Sequence, residues 1–189
     1  MAMPAAAGTD WTIEMLDAQP DDGQRYEIID GELFVTPAPA DAHQYVLVEL
    51  CARLHAYLRG KAVGKVVVSP SDVRRGDRTR NRVQPDVFVV RLTEGIRPPY
   101  PFGLSDLLLV VEVVSPGNRR HDYQAKRTLY LKGGVPEYWV VDPDARNISR
   151  WRGSDDPGDV LSRTISWHPT AMTTPLVIDI GAMFEEALG

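Results

Sequence analysis

Two strongly apolar runs, each interrupted by one carboxylate, dominate the pattern of hydrophobic and polar positions along the chain. The first extends over residues 84–90 and contains Asp86, and the second extends over residues 107–114 and contains Glu112. Both predict β-strands, and the second, which is apolar on both faces, predicts a central strand covered on both sides. An acid among Val, Leu and Phe is costly to bury unless it is neutralised, hydrogen-bonded or bound to a metal. Asp86 and Glu112 therefore require an explanation.

The elements in the first half of the chain follow from capping residues and apolar spacing. A short helix is expected over residues 10–18, with Asp10 as its N-terminal cap. Strands at residues 25–29 and 32–36 are expected to form a hairpin, because the Asp-Gly pair between them favours a tight turn. Residues 41–59 show the clearest helical spacing of apolar residues, and the glycine that follows is placed to end that helix.

The second half continues the alternation of strands and helices. Residues 91–104 contain three prolines and two glycines and predict a loop that covers another part of the molecule. Since no long linker divides the chain, the pattern predicts a single α/β domain over residues 1–189, with a mixed sheet and a flexible start at residues 1–9. The other expected elements are strands at 65–69, 137–141 and 147–151, a helix at 122–132, and a strand and short helix within 176–188.

The composition limits the classes of function. With 189 residues, of which 43% are hydrophobic, the chain can form one sizeable core. No run approaches the length of a membrane span, and no basic segment precedes an apolar one at the start, so a cytoplasmic protein without membrane contact is expected. The single cysteine, Cys51, lies within a helical pattern and is expected to be a small buried side chain rather than a catalytic thiol.

The charge of the chain is unevenly distributed. The net charge of −5 argues against a protein that coats nucleic acid through bulk electrostatics. However, one basic group precedes the run with Asp86, and another follows the run with Glu112. A basic rim around an acidic centre suits an enzyme that acts on a polyanion, and the alternative for the first group is a solvated hairpin loop. The first group comprises Arg74, Arg75, Arg78, Arg80 and Arg82, and the second comprises Arg119, Arg120, Lys126, Arg127 and Lys132.

Asp86 and Glu112 have the chemistry of ligands for a hard divalent cation. Mg²⁺ takes oxygen ligands and commonly uses one or two carboxylates, with water and phosphate in the remaining positions. Asp122, Lys126 and Tyr130 are spaced four residues apart and share one face of the predicted helix. A short turn after Glu112 would lay that face across the strand ends and bring an ammonium group near the metal. The alternative for Lys126 is an ordinary ion pair with Asp122.

Six short motifs follow one another over nearly the whole chain. They are Tyr26-Glu27-Ile28-Ile29-Asp30-Gly31-Glu32-Leu33, a helix opening near His43, Pro85-Asp86, Glu112-Val113-Val114-Ser115-Pro116, the pair Asp122 and Lys126, and Gly134-Val135-Pro136-Glu137-Tyr138-Trp139-Val140-Val141-Asp142. Each motif is short and unspecific alone. In this order and spacing, they resemble the Uma-type "putative restriction endonuclease" family of the PD-(D/E)XK nuclease superfamily.

The resemblance implies a restriction-endonuclease-like fold, in which a mixed β-sheet with an N-terminal β-hairpin is flanked by helices. It also implies a metal-dependent endonuclease that hydrolyses phosphodiester bonds in DNA with Mg²⁺, or with Mn²⁺ as a substitute. Asp86 and Glu112 would bind the metal. The superfamily pattern places a lysine two residues after the second acid, where this chain has Val114. Lys126 on the following helix is the residue that would supply the missing ammonium group.

Other residues are expected to contact the substrate or to complete the site. A homodimer is also expected, because cutting both strands of a duplex conveniently uses two symmetric sites. Tyr138 and Trp139 are expected to lie in the core, and Asp142 in a turn. The candidates for substrate binding are Arg82, Arg119, Arg120 and His43, and the additional candidates for a ligand or a substrate contact are Glu27, Glu32, Glu49 and Asp122.

Two other functions stay open from the sequence. The chain could be a non-catalytic nucleic-acid-binding or assembly module that keeps the nuclease fold, since it has an acidic net charge and no recognisable DNA-reading motif. It could also hydrolyse a small phosphorylated substrate, with residues 91–104 as a lid. Retention of both acids and of Lys126 favours the endonuclease.

Overall fold

The fold is an α/β arrangement with a central mixed sheet that is covered on both faces. The computed structural model describes residues 10–36, 40–76, 79–115, 122–153, 156–171 and 173–189, without the side chains of 122 and 123. The start that was predicted to be flexible, residues 1–9, lies outside these ranges. The helices are α1 (Ile13–Asp17), α2 (Asp41–Leu58), α3 (Arg127–Lys132) and α4 (Ile180–Leu188). The strands are β1 (Arg25–Ile29), β2 (Glu32–Thr36), β3 (Gly64–Val68), β4 (Val73–Arg74), β5 (Arg82–Val83), β6 (Val87–Arg91), β7 (Phe102–Gly103), β8 (Leu107–Val113), β9 (Tyr138–Asp142), β10 (Asn147–Trp151), β11 (Asp159–Leu161), β12 (Thr164–Trp167) and β13 (Leu176–Asp179).

The central sheet has six strands in the order β11-β10-β9-β8-β6-β3. Strand β8 lies inside this sheet, parallel to β9 and antiparallel to β6. Each of its residues is buried, as expected for an apolar strand with cover on both faces. The prediction of a central strand is therefore confirmed, and so is the predicted pairing of β9 with β10.

One face of the central sheet packs against α2, α4 and the small sheet formed by β12 and β13. The buried positions of α2 follow the helical spacing seen in the sequence. Helix α4 is capped by Asp179, whose Oδ1 accepts a hydrogen bond from the amide of Ala182 at 2.9 Å. The main side chains that α2 and α4 bring to this core are Val46, Leu50, Leu54, Leu58, Met183 and Phe184.

The other face is covered by α3 and by a second sheet in the order β2-β1-β5-β4-β7. The sequence predicted β1 and β2 but not the rest of this sheet, because strands of two residues have no hydrophobic period. Strands β4 and β5 pair antiparallel, and residues 77 and 78 of the arginine-rich stretch that connects them lie outside the described residues. The buried residues from this second sheet are Ile29, Val73, Val83 and Phe102.

The N-terminal turns confirm one prediction and correct another. Asp30 and Gly31 both have positive φ, 51° and 85°, as the predicted tight hairpin turn requires. The helix cap was predicted wrongly, because α1 begins at Ile13 and its cap is Thr12, whose Oγ1 accepts a hydrogen bond from Met15. Asp10 instead forms an ion pair with Arg80 at 2.8 Å.

The predicted helix over residues 122–132 contains an irregular first turn. Asp122–Lys126 form a π-helical turn, and the regular α-helix α3 starts only at Arg127. It ends at the predicted glycines, of which Gly134 has a φ of +91°. Among the described residues, no helix has both the length and the apolar character needed to cross a bilayer.

Candidate active site

Asp86 and Glu112 lie side by side on neighbouring strands. Val87 of β6 pairs with Val111 of β8 in an antiparallel register. Continuing this register by one residue places Asp86 opposite Glu112, and opposite residues of antiparallel strands project from the same face of the sheet. This is the face covered by β1 and α3. Both acids are almost fully buried, with 3% and 1% of their surface exposed.

Both carboxylate oxygens of Asp86 have partners. Oδ1 lies 2.7 Å from Nη1 of Arg25 on β1. Oδ2 lies 3.1 Å from Nε2 of His43 on α2 and accepts a hydrogen bond of 2.9 Å from the amide of Val113. In the hydrogen bond from Val113, the carboxylate of Asp86 acts as the acceptor just beyond the last backbone pairing of β6 with β8. Asp86 therefore connects β1, α2 and β8.

Glu112 is held by two side chains from the π-helical turn and α3. Its Oε1 accepts a hydrogen bond of 2.9 Å from Nζ of Lys126 and another of 2.7 Å from the hydroxyl of Tyr130. Lys126 and Tyr130 are four residues apart, so they project from the same side of the helix. Asp122, the third member of the predicted helix face, has a side chain outside the described part of the chain.

Glu27 on β1 is the residue whose importance the sequence understated. It is fully buried, and its Oε1 accepts a hydrogen bond of 2.7 Å from the amide of Gln84. Its Oε2 forms an ion pair with Nζ of Lys126 at 3.1 Å. Lys126 thus lies between Glu27 and Glu112. The signal in the sequence was Glu27 between apolar residues of a predicted strand, the same signal that identified Glu112.

We call these side chains the acid cluster: the acids Glu27, Asp86 and Glu112, with Arg25, His43, Lys126 and Tyr130 around them. Among the described residues, its three carboxylates face two permanent cations, Arg25 and Lys126. Carboxylates buried in an apolar interior need compensation of this kind. The acid cluster is therefore a buried group of charges in which acids and cations lie in direct contact.

Electrostatics lower the pKa of two acids of this cluster, Glu27 and Asp86. Burial alone would raise the pKa of Glu27, but the nearby Lys126 and Arg25 outweigh burial and lower it. For Asp86, burial is likewise outweighed by the hydrogen bond with His43 and by the charge of Arg25, and its pKa lies well below the usual range. Burial and the adjacent Glu112 raise the pKa of Tyr130, so its hydroxyl keeps the proton that it donates.

Other candidates from the sequence lie away from the acid cluster. Arg82 is engaged by Asp17 and lies 3.8 Å from Asp72. Glu32 is exposed at the start of β2, and Glu49 pairs with a neighbouring arginine on α2. Arg119 and Arg120 lie outside the described residues. The roles proposed for all these residues stay predictions.

Three side chains with structural interpretations, Tyr138, Trp139 and Asp142, behave as the sequence indicated, while Cys51 is less buried than expected. Tyr138 and Trp139 are fully buried. Asp142 accepts hydrogen bonds from two amides of the turn that follows it. Cys51 is half-buried, and burial raises the pKa of its thiol to about 11, so it is protonated at neutral pH and unsuited to act as a nucleophile.

The donor chemistry of Asp86 and Glu112 fits a magnesium ion. Among the residues that the structure describes, no group of three or more acid, histidine or cysteine side chains is arranged to hold a metal. Mg²⁺ does not require such a group, because it commonly binds one or two carboxylates and keeps several waters. Two carboxylates that lie side by side on neighbouring strands are donors of the type that this smaller requirement needs.

Comparisons with known proteins place this chain in a family. Residues 13–177 match the model of a family described as "Uma2: Putative restriction endonuclease". Five chains of solved structures match. One is the crystal structure of "a putative nuclease belonging to DUF820 from Anabaena variabilis ATCC 29413", with a TM-score of 0.75 and 16% identity over 94% of this chain and 99% of that chain. At this identity the likeness concerns the fold. No curated protein matches.

Proposed function

The chain belongs to the Uma2 family of "putative restriction endonucleases", and from this premise we propose that it is a metal-dependent endonuclease that hydrolyses phosphodiester bonds in DNA. The observation that carries the proposal is the position of Lys126, whose ammonium group lies 2.9 Å from Glu112 and 3.1 Å from Glu27. Burying an amine among acids, beside the strand that carries Glu112, is costly for stability alone. In this proposal Lys126 supplies the ammonium group for which the strand has Val114 instead of a lysine.

In this proposal Asp86 and Glu112 hold Mg²⁺, or Mn²⁺ as a substitute. The chemistry supplied by the bound ion is polarisation of the scissile phosphate and activation of a water molecule. Arg25 shares Oδ1 of Asp86 and keeps this carboxylate oriented, while the amide of Val113 fixes Oδ2. Tyr130 fixes Glu112 in the same way through Oε1.

Lys126 supplies a positive charge next to the reacting phosphate. In the reaction, its ammonium group contacts the attacking water or an oxygen of the phosphate. The carboxylates of Glu112 and Glu27 hold the ammonium group in place, so it needs little reorganisation when negative charge develops on the phosphate. Glu27 acts here as a positioning residue for Lys126.

Cleavage assays on supercoiled and linear DNA with Mg²⁺ or Mn²⁺ test the proposal. Asp86→Asn and Glu112→Gln keep the size of the side chains and remove one charge each, and either change is expected to lower the cleavage rate by a factor of about 10²–10⁴. Glu137→Gln is the matched control, because it neutralises a buried acid that lies just before β9 and outside the acid cluster. Circular dichroism verifies that each variant is folded. Cleavage that persists in both variants would refute the assigned site.

A non-catalytic nucleic-acid-binding module is the second candidate. It is favoured by one observation, namely that every acid of the cluster already has a cationic partner within 3.1 Å. This candidate predicts no cleavage of DNA or RNA and no heat of Mn²⁺ binding in calorimetry. Metal binding that is lost in Glu112→Gln would exclude it.

We also propose that the protein acts as a homodimer, so that two acid clusters cut the two strands of a duplex. Sedimentation equilibrium measures the mass in solution. A protein that stays monomeric with DNA bound, yet cuts both strands at one site in a single binding event, would contradict the dimer.

A further inference from the structure

A cleft of about 680 Å³ opens between β4, the loop that precedes β8 and the C-terminal end of α3. Its size is typical of ligand sites. Three cationic side chains line it, Arg74, Arg75 and Lys132, and none of its lining residues is acidic. We call it the cationic cleft. It brings together members of both basic groups, Arg74 and Arg75 from the first and Lys132 from the second. These arginines lie more than fifty residues from Lys132 in the sequence.

Among the described residues, the cations of this cleft have only distant acidic neighbours. Arg74 lies 3.7 Å from Asp72, and its buried Nε has no hydrogen-bond partner in the described residues. Arg75 is 40% exposed and comes no nearer than 3.9 Å to Asp30. Lys132 is exposed at the end of α3. This differs from Arg82, the residue predicted to bind substrate, which is 12% exposed and engaged by two aspartates.

An aromatic ring stands at the wall of the cationic cleft. Tyr100 is 62% exposed, although its ring is held by an edge-to-face contact with Phe102 at 5.7 Å. Phe102 in turn packs edge-to-face on Phe88 of β6, also at 5.7 Å. A fixed and exposed ring beside cations is the combination by which proteins stack an unpaired base and bind the phosphates next to it.

The cationic cleft and the acid cluster lie towards opposite ends of β8. The cleft is lined by Leu104 and Ser105, which immediately precede β8, and by Gly133. Glu112 lies five residues beyond Leu107, the first residue of β8. At about 3.3 Å per residue, these two residues are about 17 Å apart along the strand. That distance corresponds to about five steps of 3.4 Å along a nucleic-acid strand.

Resting on the proposed nuclease function, we propose that the cationic cleft binds an unpaired, single-stranded segment of the nucleic-acid substrate, several nucleotides from the bond that is cut. Tyr100 stacks on a base, while Arg74, Arg75 and Lys132 contact the phosphates. The acidic net charge of the chain is compatible with this, because binding depends on a local group of cations rather than on the total charge.

Fluorescence anisotropy with labelled single-stranded and duplex oligonucleotides, in EDTA to prevent cleavage, tests the proposal. Tyr100→Ala is expected to weaken binding of the single strand at least about fivefold and to leave duplex binding nearly unchanged. Lys132→Ala is expected to lower the salt dependence of single-strand binding by about 0.7 in the log–log slope. Arg163→Ala is the matched control, since it removes an exposed cation at the start of β12, by the opposite face of the central sheet.

The outcomes separate this proposal from the nuclease function itself. Loss of single-strand affinity in Tyr100→Ala and Lys132→Ala, but not in Arg163→Ala, supports the cleft even if no DNA is cut. Unchanged affinity in both cleft variants would overturn it even if Mg²⁺-dependent cleavage is observed.

Discussion

Two buried glutamates, Glu27 in the acid cluster and Glu137 just before β9, show how differently this fold treats a carboxylate in its interior. Glu27 is 0% exposed and Glu137 is 7% exposed. Oε1 of Glu137 accepts a hydrogen bond of 2.7 Å from the indole of Trp139, and the nearest cation with a recorded ion pair is Arg152, at 3.9 Å. Burial outweighs these contacts and raises the pKa of Glu137. Lys126 and Arg25 outweigh burial at Glu27 and lower its pKa.

The difference teaches that burial alone does not identify a functional acid. Glu137 has one good hydrogen-bond donor and a distant, half-exposed arginine, an arrangement that serves packing. Glu27 is surrounded by cations that keep it charged in an apolar interior, and those cations themselves must be desolvated. Groups that a protein keeps charged at such cost are candidates for chemistry. The following experiments test this comparison, beginning with the largest expected effect.

Lys126→Met should cause the largest loss of stability. It leaves Glu27 and Glu112 buried without their ammonium partner, and breaking a buried ion pair on one side costs about 3–5 kcal/mol. Urea unfolding measures the change in the free energy of unfolding. Adding Glu27→Gln should restore part of the loss, because it removes one of the unpaired charges. A double variant no more stable than Lys126→Met would contradict the ion pair across the cluster.

Arg152→Met is the matched change on the side of Glu137. Since Arg152 is 52% exposed and 3.9 Å from the carboxylate, its removal should cost less than about 1 kcal/mol. A loss as large as that of Lys126→Met would remove the distinction between the two regions.

Tyr130→Phe should have an intermediate effect. It removes the hydroxyl that donates to Glu112 at 2.7 Å and leaves the ring packed, and a hydrogen bond to a charged group contributes about 1.5–3 kcal/mol. The cleavage rate should fall as well, because Glu112 loses one of the groups that orient it. Unchanged stability and unchanged cleavage together would mean that Tyr130 does not hold the carboxylate.

The pH dependence of stability should have opposite signs at the two glutamates. The lowered pKa of Glu27 means that the folded state binds its proton less tightly than the unfolded chain, so the stability it contributes is present above about pH 5 and is lost on acidification. The raised pKa of Glu137 means the reverse: its ionisation disfavours the folded state, and this disadvantage disappears on acidification. Unfolding measured from about pH 8 to below pH 4 should therefore show a smaller loss of unfolding free energy on acidification in Glu27→Gln than in wild type, and a larger loss in Glu137→Gln.

The smallest effect is expected for Glu137→Gln at neutral pH. The amide oxygen can still accept from Trp139, and the unfavourable buried charge is gone, so the free energy of unfolding should change by less than about 1 kcal/mol. Cleavage should be unaffected. A loss of cleavage without a loss of stability would place Glu137 in the active site and remove its use as a control.

Five of the six strands of the central sheet could be predicted because each has a strong local signal, while β11 was not predicted. Strand β8 is apolar on both faces, and the turn between β1 and β2 carries the Asp-Gly pair that its positive φ angles need. By contrast, β4, β5 and β7 have two residues each, and only tertiary pairing creates them. The π-helical turn before α3 was missed for a related reason, since one extra residue in a turn leaves no trace in the apolar spacing.

The acid cluster was predictable only in part. Asp86, Glu112 and Lys126 were found through their residue types and their order, while the importance of Glu27 became visible only when β1 packed beside α3. His43 and Arg25 needed the fold as well, because each reaches Asp86 across more than forty residues of sequence. At Val114, where the superfamily pattern has lysine, the structure has a side chain 2% exposed within an apolar core.

The position of Lys126 in the helical segment, rather than on the strand that carries Glu112, makes the acid cluster an assembly of two separate elements of the fold. A lysine on β8 would be present whenever the central sheet is formed. Here the acid cluster is complete only while α3 is docked, so the fraction of competent molecules equals the fraction in which this helix is closed on the sheet. Amide hydrogen exchange in α3 thus measures the same opening equilibrium that limits the site. Mutations in the apolar contacts of α3, far from any carboxylate, can tune activity through that equilibrium alone.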